Sequence, residues 1–372
     1  MTNRERIRAI LHYEDYDAIP LVHLGFWNET LTKWREQGHV TAEEEEGWAG
    51  GNEYDFLIAK RLGLDYNWFD DFQPETDLFP KFDVKVVRDF ADGTRHVRNS
   101  YGVVELHREG AGSIPAEISH MLVDRASWEK EYLPRLQYSE GRFDPAAFEA
   151  WKSRADRRGT PYGLRCGSLF GNMRNWLGIV GVSYLYADDE ALYDEIINTV
   201  ADLDYRVAER LLQTGVKFDY GHFWEDICFK NGPLVVPEVF REKVGPHYRR
   251  ITSLLKRYGI DVVSLDCDGC IDSLVPIWFE NGVNTMFPIE YGTWQASIAP
   301  WREKYGRGLR GVGGMNKNVL SRDYRAVDDE IERLRPLVAL GGYLPCPDHL
   351  IAPDAKWENV QYYCDRMHKA FG

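Results

Sequence analysis

The sequence predicts an α/β fold in which a parallel sheet closes into a (β/α)8 TIM barrel, with an open doubly wound sheet as the alternative. From about residue 160 onward, short apolar runs alternate with amphipathic helical patterns through short links. Five or six such units, with one or two earlier in the chain, approach the eight of a barrel. No Gly/Ser-rich or Pro-rich linker interrupts the sequence, so residues 1–372 are predicted to form a single domain.

The N-terminal third contains the opening elements and an insertion. Thr2 and Glu5 match a capping box before a short amphipathic helix. Residues 19–22 are predicted to be the first strand. Residues 82–105 have a different pattern, because valine-rich runs flank an Ala-Asp-Gly-Thr turn. This pattern predicts a small β-hairpin or meander inserted into the main fold.

The C-terminal part supplies the regular strand–helix units. The strands are predicted at residues 162–166, 217–223, 261–266, 284–287, 309–312 and 342–344. The helices are predicted at residues 188–214, 237–258, 271–281, 294–305, 324–340 and 357–370.

Composition restricts the class of protein. The formal net charge is −14 and the pI is about 5.3, which argues against broad nucleic-acid or anionic-membrane binding because those partners require a basic surface. No stretch approaches the ~18 apolar residues of a membrane span. The six cysteines are too sparse for a disulfide scaffold, and the N-terminus does not resemble a signal peptide. A cytoplasmic protein is therefore predicted.

Polar side chains follow three of the predicted strands. They occupy residues 265–270 (Leu-Asp-Cys-Asp-Gly-Cys), residues 346–349 (Cys-Pro-Asp-His) and residues 222–226 (His-Phe-Trp-Glu-Asp). The carboxyl ends of parallel strands meet at one edge of the sheet, and catalytic groups concentrate there. The sequence therefore predicts one functional site built from several loops.

The first cluster allows several interpretations. Cys267 and Cys270 form a C-x-x-C that could be a redox dithiol, could supply zinc ligands, or could place Cys270 as a small buried residue at a helix start. Asp266 and Asp268 lie two residues apart, so an extended backbone would put both carboxylates on one side. They could bind a cation or divide acid and base roles. Alternatively, Asp268 caps the next helix and Asp266 is ion-paired.

The other clusters add further candidates. His349 suits metal ligation or proton transfer, or it is a structural histidine. Cys346 is a candidate fourth ligand or an inert core thiol. Glu225 and Asp226 are adjacent and must point in different directions, so one is expected in the site and the other outside it. Glu290 follows another strand and adds one more acid at the same edge.

Several motifs together resemble the uroporphyrinogen decarboxylase superfamily. They are Gly167-Ser168-Leu169-Phe170 with Arg174-Asn175-Trp176, His222 to Asp226, Asn231-Gly232-Pro233-Leu234, Asp268-Gly269, Gly282-Val283-Asn284 with Pro288-Ile289-Glu290, Gly313-Gly314, and Gly341-Gly342-Tyr343 with Asp348-His349. The N-terminal Arg4-Glu5-Arg6 and Asp17-Ala18-Ile19-Pro20 also look like the opening of that family. The resemblance implies a (β/α)8 barrel.

The resemblance favours one branch of the superfamily. True uroporphyrinogen decarboxylases carry an arginine-rich R-Q-A-G-R loop after the first strand, where this chain has residues 23–28 (His-Leu-Gly-Phe-Trp-Asn). The other branch is similar to zinc-dependent methyltransferases that work with corrinoid proteins. Their zinc ligands imply a metal site at Asp266, Asp268, Glu290 and His349 in this chain. Cys267 and Cys346 are the alternative ligands.

The resemblance thus implies a metal-dependent methyltransferase. It would move a methyl group between a small methylated substrate, such as an aryl methyl ether or an amine, and a corrinoid (cobalamin) held on a partner protein. Glu225 and His222 are expected to be catalytic, while Trp27, Trp224 and Tyr343 are expected to contact the substrate. A homodimer is also expected. The alternatives are a decarboxylase or lyase acting on a small carboxylic acid, and a non-catalytic tetrapyrrole- or corrinoid-binding module.

Overall fold

The computed structural model describes residues 1–108 and 115–372 of the chain. Its strands, in chain order, are β1 (Val22–His23), β2 (Tyr66–Asn67), β3 (Lys85–Asp89), β4 (Arg95–Arg98), β5 (Val103–His107), β6 (Ala116–His120), β7 (Gly163–Arg165), β8 (Tyr220–Trp224), β9 (Cys228–Phe229), β10 (Gly232–Pro233), β11 (Val263–Asp266), β12 (Thr285–Ile289), β13 (Arg310–Met315) and β14 (Tyr343–Pro347).

Helices connect these strands and cover the sheet. In chain order they are α1 (Asn3–His12), α2 (Asn28–Glu36), α3 (Ala42–Gly47), α4 (Glu53–Leu62), α5 (Arg125–Ser127), α6 (Pro145–Arg158), α7 (Gly171–Asp188), α8 (Glu190–Leu212), α9 (Pro237–Lys243), α10 (Gly245–Arg257), α11 (Val275–Glu280), α12 (Tyr291–Trp294), α13 (Ile298–Tyr305), α14 (Tyr324–Val338) and α15 (Trp357–Phe371). The capping box predicted before α1 is confirmed.

The main sheet has six parallel strands in the described residues, in the order β14-β13-β12-β11-β8-β7. β1 and β2 form a separate parallel pair. Single bridges join Phe26 to Ile351 and Phe72 to Leu164, at the two edges of the main sheet. The α/β class and the parallel sheet are confirmed. A closed barrel remains a prediction, because no continuous ladder encircles the described residues.

The predicted insertion is present and larger than a hairpin. Strands β3 to β6 form a four-stranded antiparallel sheet within residues 85–120, in the order β3-β4-β5-β6. The sequence pattern indicated its first three strands but not β6. Four of the five β6 residues are exposed, so its short alternation of apolar and polar residues does not correspond to a buried face.

The alternation of side chains along β8 and β11 determines which residues reach the functional face. Phe223 points toward α10, where its ring lies 5.1 Å from that of Tyr248. His222 and Trp224, one residue away on either side, therefore point to the opposite face of the sheet. Ser264 of β11 shares that face, since its Oγ lies 2.7 Å from Nδ1 of His222. Asp266, two residues farther along β11, also points there.

Crossing a membrane requires a helix that is both long and apolar. Within residues 1–108 and 115–372, none of the helices has this combination.

Candidate functional site

Strand ends at the carboxyl edge of the main sheet bring the predicted acidic residues and His349 together. Asp266 ends β11, Asp268 lies in the loop after it, Glu290 follows β12 and His349 follows β14. Asp268 and His349 are in direct contact, with 3.0 Å between Oδ2 and Nε2. Residues 81 positions apart in the sequence therefore meet at one point.

Trp27 holds the imidazole of His349 from one side. The two rings are stacked, with centroids 5.4 Å apart and an interplanar angle of 14°. Trp27 is positioned by the backbone, because its N–H donates to the carbonyl of Ile351 just beyond His349. Nδ1 of His349 is buried and has no hydrogen-bond partner among the described residues. His349 is therefore fixed in orientation while one ring nitrogen stays unengaged.

Asp266 is a buried carboxyl group with unusual surroundings. Only 6% of the residue is exposed. Burial raises the pKa of Asp266 well above its ordinary value, and the nearby Asp268, Asp226 and Glu290 raise it further, while Arg165 opposes the shift. This carboxyl group thus tends to keep its proton.

Glu290 and Asp226 are both close enough to Asp268 to feel its charge. Glu290 accepts hydrogen bonds from the Gly269 N–H (2.5 Å) and from Oγ1 of Thr293 (2.9 Å). The Asp226 carboxylate pairs with Arg174 at 3.2 Å. Burial raises the pKa of both acids, and the charge of Asp268 adds to this rise.

Sequence reasoning missed the buried ion pair between Arg165 and Asp71. Arg165 ends β7, and its Nε and Nη2 donate to the two carboxylate oxygens of Asp71 at 2.8 and 3.1 Å. Because Arg165 ends a strand at the carboxyl edge, its position could have identified it as a candidate site residue. Asp71 could not have been found this way, since it lies in a loop 94 residues earlier.

His222 lies deeper, among aromatic rings. Its Nδ1 lies 2.7 Å from Ser264 Oγ, and Ser264 Oγ lies within 3.4 Å of the Gly221 carbonyl, to which it can donate. In that arrangement His222 Nδ1 carries the proton and Nε2 is the acceptor. Nε2 is buried without a partner among the described residues. Burial, and then Arg165, lowers the pKa of His222 well below its usual value, so the ring is neutral.

Glu225 faces α7 instead of the cluster around Asp268. One of its oxygens accepts from the N–H groups of Phe170 and Gly171 at 2.9 and 2.7 Å, and the other accepts from Leu169 N–H at 2.9 Å. Ser168 and Tyr248 hydroxyls also donate to it. A carboxylate at a helix N-terminus satisfies amides that have no partner inside the helix. This geometry indicates a structural role.

We expect Glu225→Ala to lower the free energy of unfolding by about 3 kcal/mol, because it leaves several buried amides unsatisfied. Urea denaturation measures this change. The matched control is Asp323→Ala, which removes a cap that α14 receives through one bond to Ala326 N–H and should cost about 1 kcal/mol. Equal effects of the two substitutions would contradict the structural role.

The remaining predicted residues fall in three environments. Trp224 is half-buried and lines a cavity of about 230 Å³ beside Arg165 and Asn172. Tyr343 is buried, and its hydroxyl donates to the Gly313 carbonyl at 2.7 Å, so its polar atom is already engaged. Cys346 is buried, and burial raises its pKa well above the ordinary value.

The predicted metal ligands do not form a preassembled site. In the described part of the chain, no three His, Cys, Asp or Glu side chains are arranged to hold a metal ion. Asp268 and His349 bond to each other, and both oxygens of Glu290 are engaged. The alternative ligand Cys267 accepts from Ile227 N–H at 3.3 Å. Coordination would therefore require these contacts to separate.

Comparison with known proteins identifies the fold. No protein-family model matches the chain, and no curated protein matches it. Among solved structures, the chain is similar to a methyltransferase from Methanosarcina mazei, with a TM-score of 0.62 and 99% of each chain covered. The sequences are 15% identical, so this similarity shows a shared fold.

Proposed function

We propose that this protein is a methyltransferase that takes a methyl group from a small methylated compound at the carboxyl edge of the sheet. The observation that carries the proposal is the convergence of Asp266, Asp268, Glu290 and His349 from three strand ends. The fold shared with a methyltransferase over the full chain supports it. In this proposal the sheet is closed into a barrel whose rim carries the site.

The chemical task assigned to these residues is to stabilise the departing group. When a methyl group leaves an ether oxygen or an amine nitrogen, the electron pair of the broken bond stays on the heteroatom. A carboxyl group that has kept its proton can donate it there as the bond breaks. Asp266 suits this role because its pKa is raised by burial and by neighbouring acids. After the transfer, the Asp266 carboxylate faces Arg165.

Trp224 and His222 position the substrate in this proposal. Trp224 provides an aromatic wall to the cavity of about 230 Å³, whose volume suits a compound with a single ring. Its backbone pairs with that of Asp266, so the proposed proton donor lies on the strand next to the cavity wall. His222 Nε2 can accept a hydrogen bond from a substrate donor. Trp27 stacks on His349 and is not among the residues that line this cavity.

The methyl acceptor is proposed to be a corrinoid on a partner protein, as the resemblance implies. An aryl methyl ether or a methylated amine remains the expected substrate. A homodimer and a cytoplasmic location also remain predictions.

The proposal is tested by mixing the protein with cob(I)alamin and a panel of methylated ethers and amines without oxygen. The expected result is methylcobalamin, detected by absorbance, together with the demethylated product. Asp268→Asn should lower the rate of formation of both by at least about 10²-fold. No methyl transfer from any member of the panel, to free cobalamin or to corrinoid proteins, would contradict the proposal.

Zinc binding is a separate prediction from the resemblance. If Asp268 and His349 separate to bind zinc, the purified protein should contain about one zinc ion per chain, and His349→Ala should lose it. Elemental analysis after gentle purification measures the metal. A substoichiometric content that His349→Ala does not change would contradict zinc binding at this place.

A decarboxylase acting on a small carboxylic acid is the second candidate. Arg165 favours it, because this guanidinium borders the cavity beside a carboxyl group that can protonate a carbanion. Release of carbon dioxide from a panel of aromatic acids, without methyl transfer from their methyl ethers, would favour this reaction.

A further inference from the structure

Two nearly buried polar side chains line the cavity of about 230 Å³ beside Trp224. Asn172 is 7% exposed and Thr76 is 8% exposed. Within residues 1–108 and 115–372, neither the side-chain amide of Asn172 nor the hydroxyl of Thr76 has a hydrogen-bond partner. Polar groups this far from bulk water are normally paired. Their position therefore points to a ligand that completes their hydrogen bonds.

The segments that carry these two side chains are held in place by other contacts. Asn172 lies in the first turn of α7, where its backbone N–H donates to Ser168 Oγ at 3.2 Å. Thr76 lies between Glu75 and Asp77, whose carbonyls accept from Nη1 of the buried Arg142 at 2.8 and 2.7 Å. The cavity walls are thus ordered before a ligand binds, which reduces the cost of binding.

The cavity lining also contains one carboxylate and one ammonium group without a salt bridge. Glu75 and Lys81 line the cavity, and in the described ranges neither forms an ion pair, with the other or with any third residue. The other charged lining residues are engaged. Arg165 donates to Asp71 through two nitrogens, and Asp77 accepts the N–H of the next residue at 2.7 Å. The charges still to be paired are therefore one of each sign.

We infer that this cavity binds an N-methylated amino acid in its zwitterionic form, and that this class of compound is the methyl donor. The carboxylate of the ligand accepts hydrogen bonds from the Asn172 amide and the Thr76 hydroxyl and pairs with the Lys81 ammonium. The methylated ammonium group of the ligand pairs with the Glu75 carboxylate. One small molecule thereby satisfies both buried polar side chains and both unpaired charges.

This inference selects between the two expected substrate types. An aryl methyl ether without charges would displace water from the cavity and leave Glu75 and Lys81 unpaired, which a site with such groups rejects strongly. A methylated amine without a carboxylate would satisfy only Glu75. The identity of the methyl donor rests on the proposed function, whereas binding of the zwitterion does not.

The test is isothermal titration calorimetry of the full-length protein with three related compounds. N-methylproline carries both charges, N-methylpyrrolidine carries only the ammonium group, and 2-methylcyclopentanecarboxylate carries only the carboxylate. We expect N-methylproline to bind and each of the other two to bind at least about tenfold more weakly, because a hydrogen bond to a charged group contributes about this factor or more.

A substitution in the cavity tests which group recognises the ammonium. Glu75→Gln is expected to weaken binding of N-methylproline about tenfold, and binding of 2-methylcyclopentanecarboxylate should be unchanged or tighter. The matched control is Glu36→Gln, at an exposed acid in α2, which should change neither affinity. Equal affinity for the three compounds, no binding of N-methylproline, or an equal loss for both carboxylates in Glu75→Gln would overturn the inference.

Failure of this inference and failure of the proposed function give different results. If N-methylproline binds with the expected pattern but transfers no methyl group to cob(I)alamin, the zwitterion site stands and the assignment as methyl donor is refuted. If methyl transfer occurs from an aryl methyl ether and N-methylproline does not bind, the proposed function stands and the zwitterion site is refuted.

Discussion

Asp266→Asn is expected to lower the rate of methyl transfer by about 10²–10⁴-fold, the usual contribution of a general acid. Asparagine has nearly the same shape as aspartic acid but has no carboxyl proton to donate to the departing heteroatom. The rate is measured in single turnovers with a methylated substrate and cob(I)alamin. A variant that transfers methyl groups at the wild-type rate would remove Asp266 from the mechanism.

Asp266→Asn lowers the rate but is expected to preserve or raise the free energy of unfolding above neutral pH. The folded-state pKa of Asp266 is raised, so the folded protein binds the proton more tightly than the unfolded chain does. The free energy of unfolding therefore falls as pH rises from the unfolded pKa of about 4 to the folded value, since the buried carboxyl must ionise. Asp266→Asn should lack this fall. In urea denaturation above neutral pH, it should be as stable as wild type or more stable.

The rate should have a matching pH dependence. If protonated Asp266 is the acid, the wild-type rate decreases as pH rises through its raised pKa. The residual rate of Asp266→Asn should lack this decrease at alkaline pH, the alkaline limb of the pH profile. An alkaline limb that the variant retains would assign the titrating group to another residue.

Removing either member of the Asp268–His349 pair is expected to lower kcat/KM by about 10²-fold, because the remaining partner loses its orientation. Residues that act as one unit are not additive, so the double variant Asp268→Ala/His349→Ala should be about as slow as either single variant. A double-mutant cycle on kcat/KM measures the coupling.

The chain offers a matched control for this cycle. His12 and Asp261 form a similar contact at 2.9 Å, with both side chains more exposed than His349. His12→Ala and Asp261→Ala should leave kcat/KM unchanged. Independent, multiplicative losses at Asp268 and His349 would show that the pair does not act as a unit.

The regular C-terminal units could be predicted because each strand is a short apolar run followed by a polar or glycine-containing turn. β8, for example, was predicted at 217–223 and is observed at Tyr220–Trp224. β2 was not predicted, since two residues, Tyr66 and Asn67, are too few to produce a periodic pattern. The predicted helix at 237–258 is divided into α9 and α10 at Val244 and Gly245.

The site was predictable in location but less so in the roles of individual residues. Strand ends identified Asp266, Asp268 and His349 because residue position alone places them at one edge of the sheet. The sequence could not show which of the adjacent acids, Glu225 or Asp226, enters the site. The structure turns Asp226 toward the cluster through a left-handed backbone with φ of 50° and leaves Glu225 to bind the start of α7. Which of the two acids faces the cluster depends on how α7 packs, and no local sequence pattern reveals this packing.

The most direct test of the account is transfer of an isotopically labelled methyl group from a methylated substrate to cob(I)alamin, with wild-type protein and Asp268→Asn compared side by side. The account predicts labelled methylcobalamin with the wild type and a loss of at least about 10²-fold with the variant, at unchanged stability in urea. Equal labelling by the two proteins would show that methyl transfer, if it occurs, does not take place at the convergent strand ends.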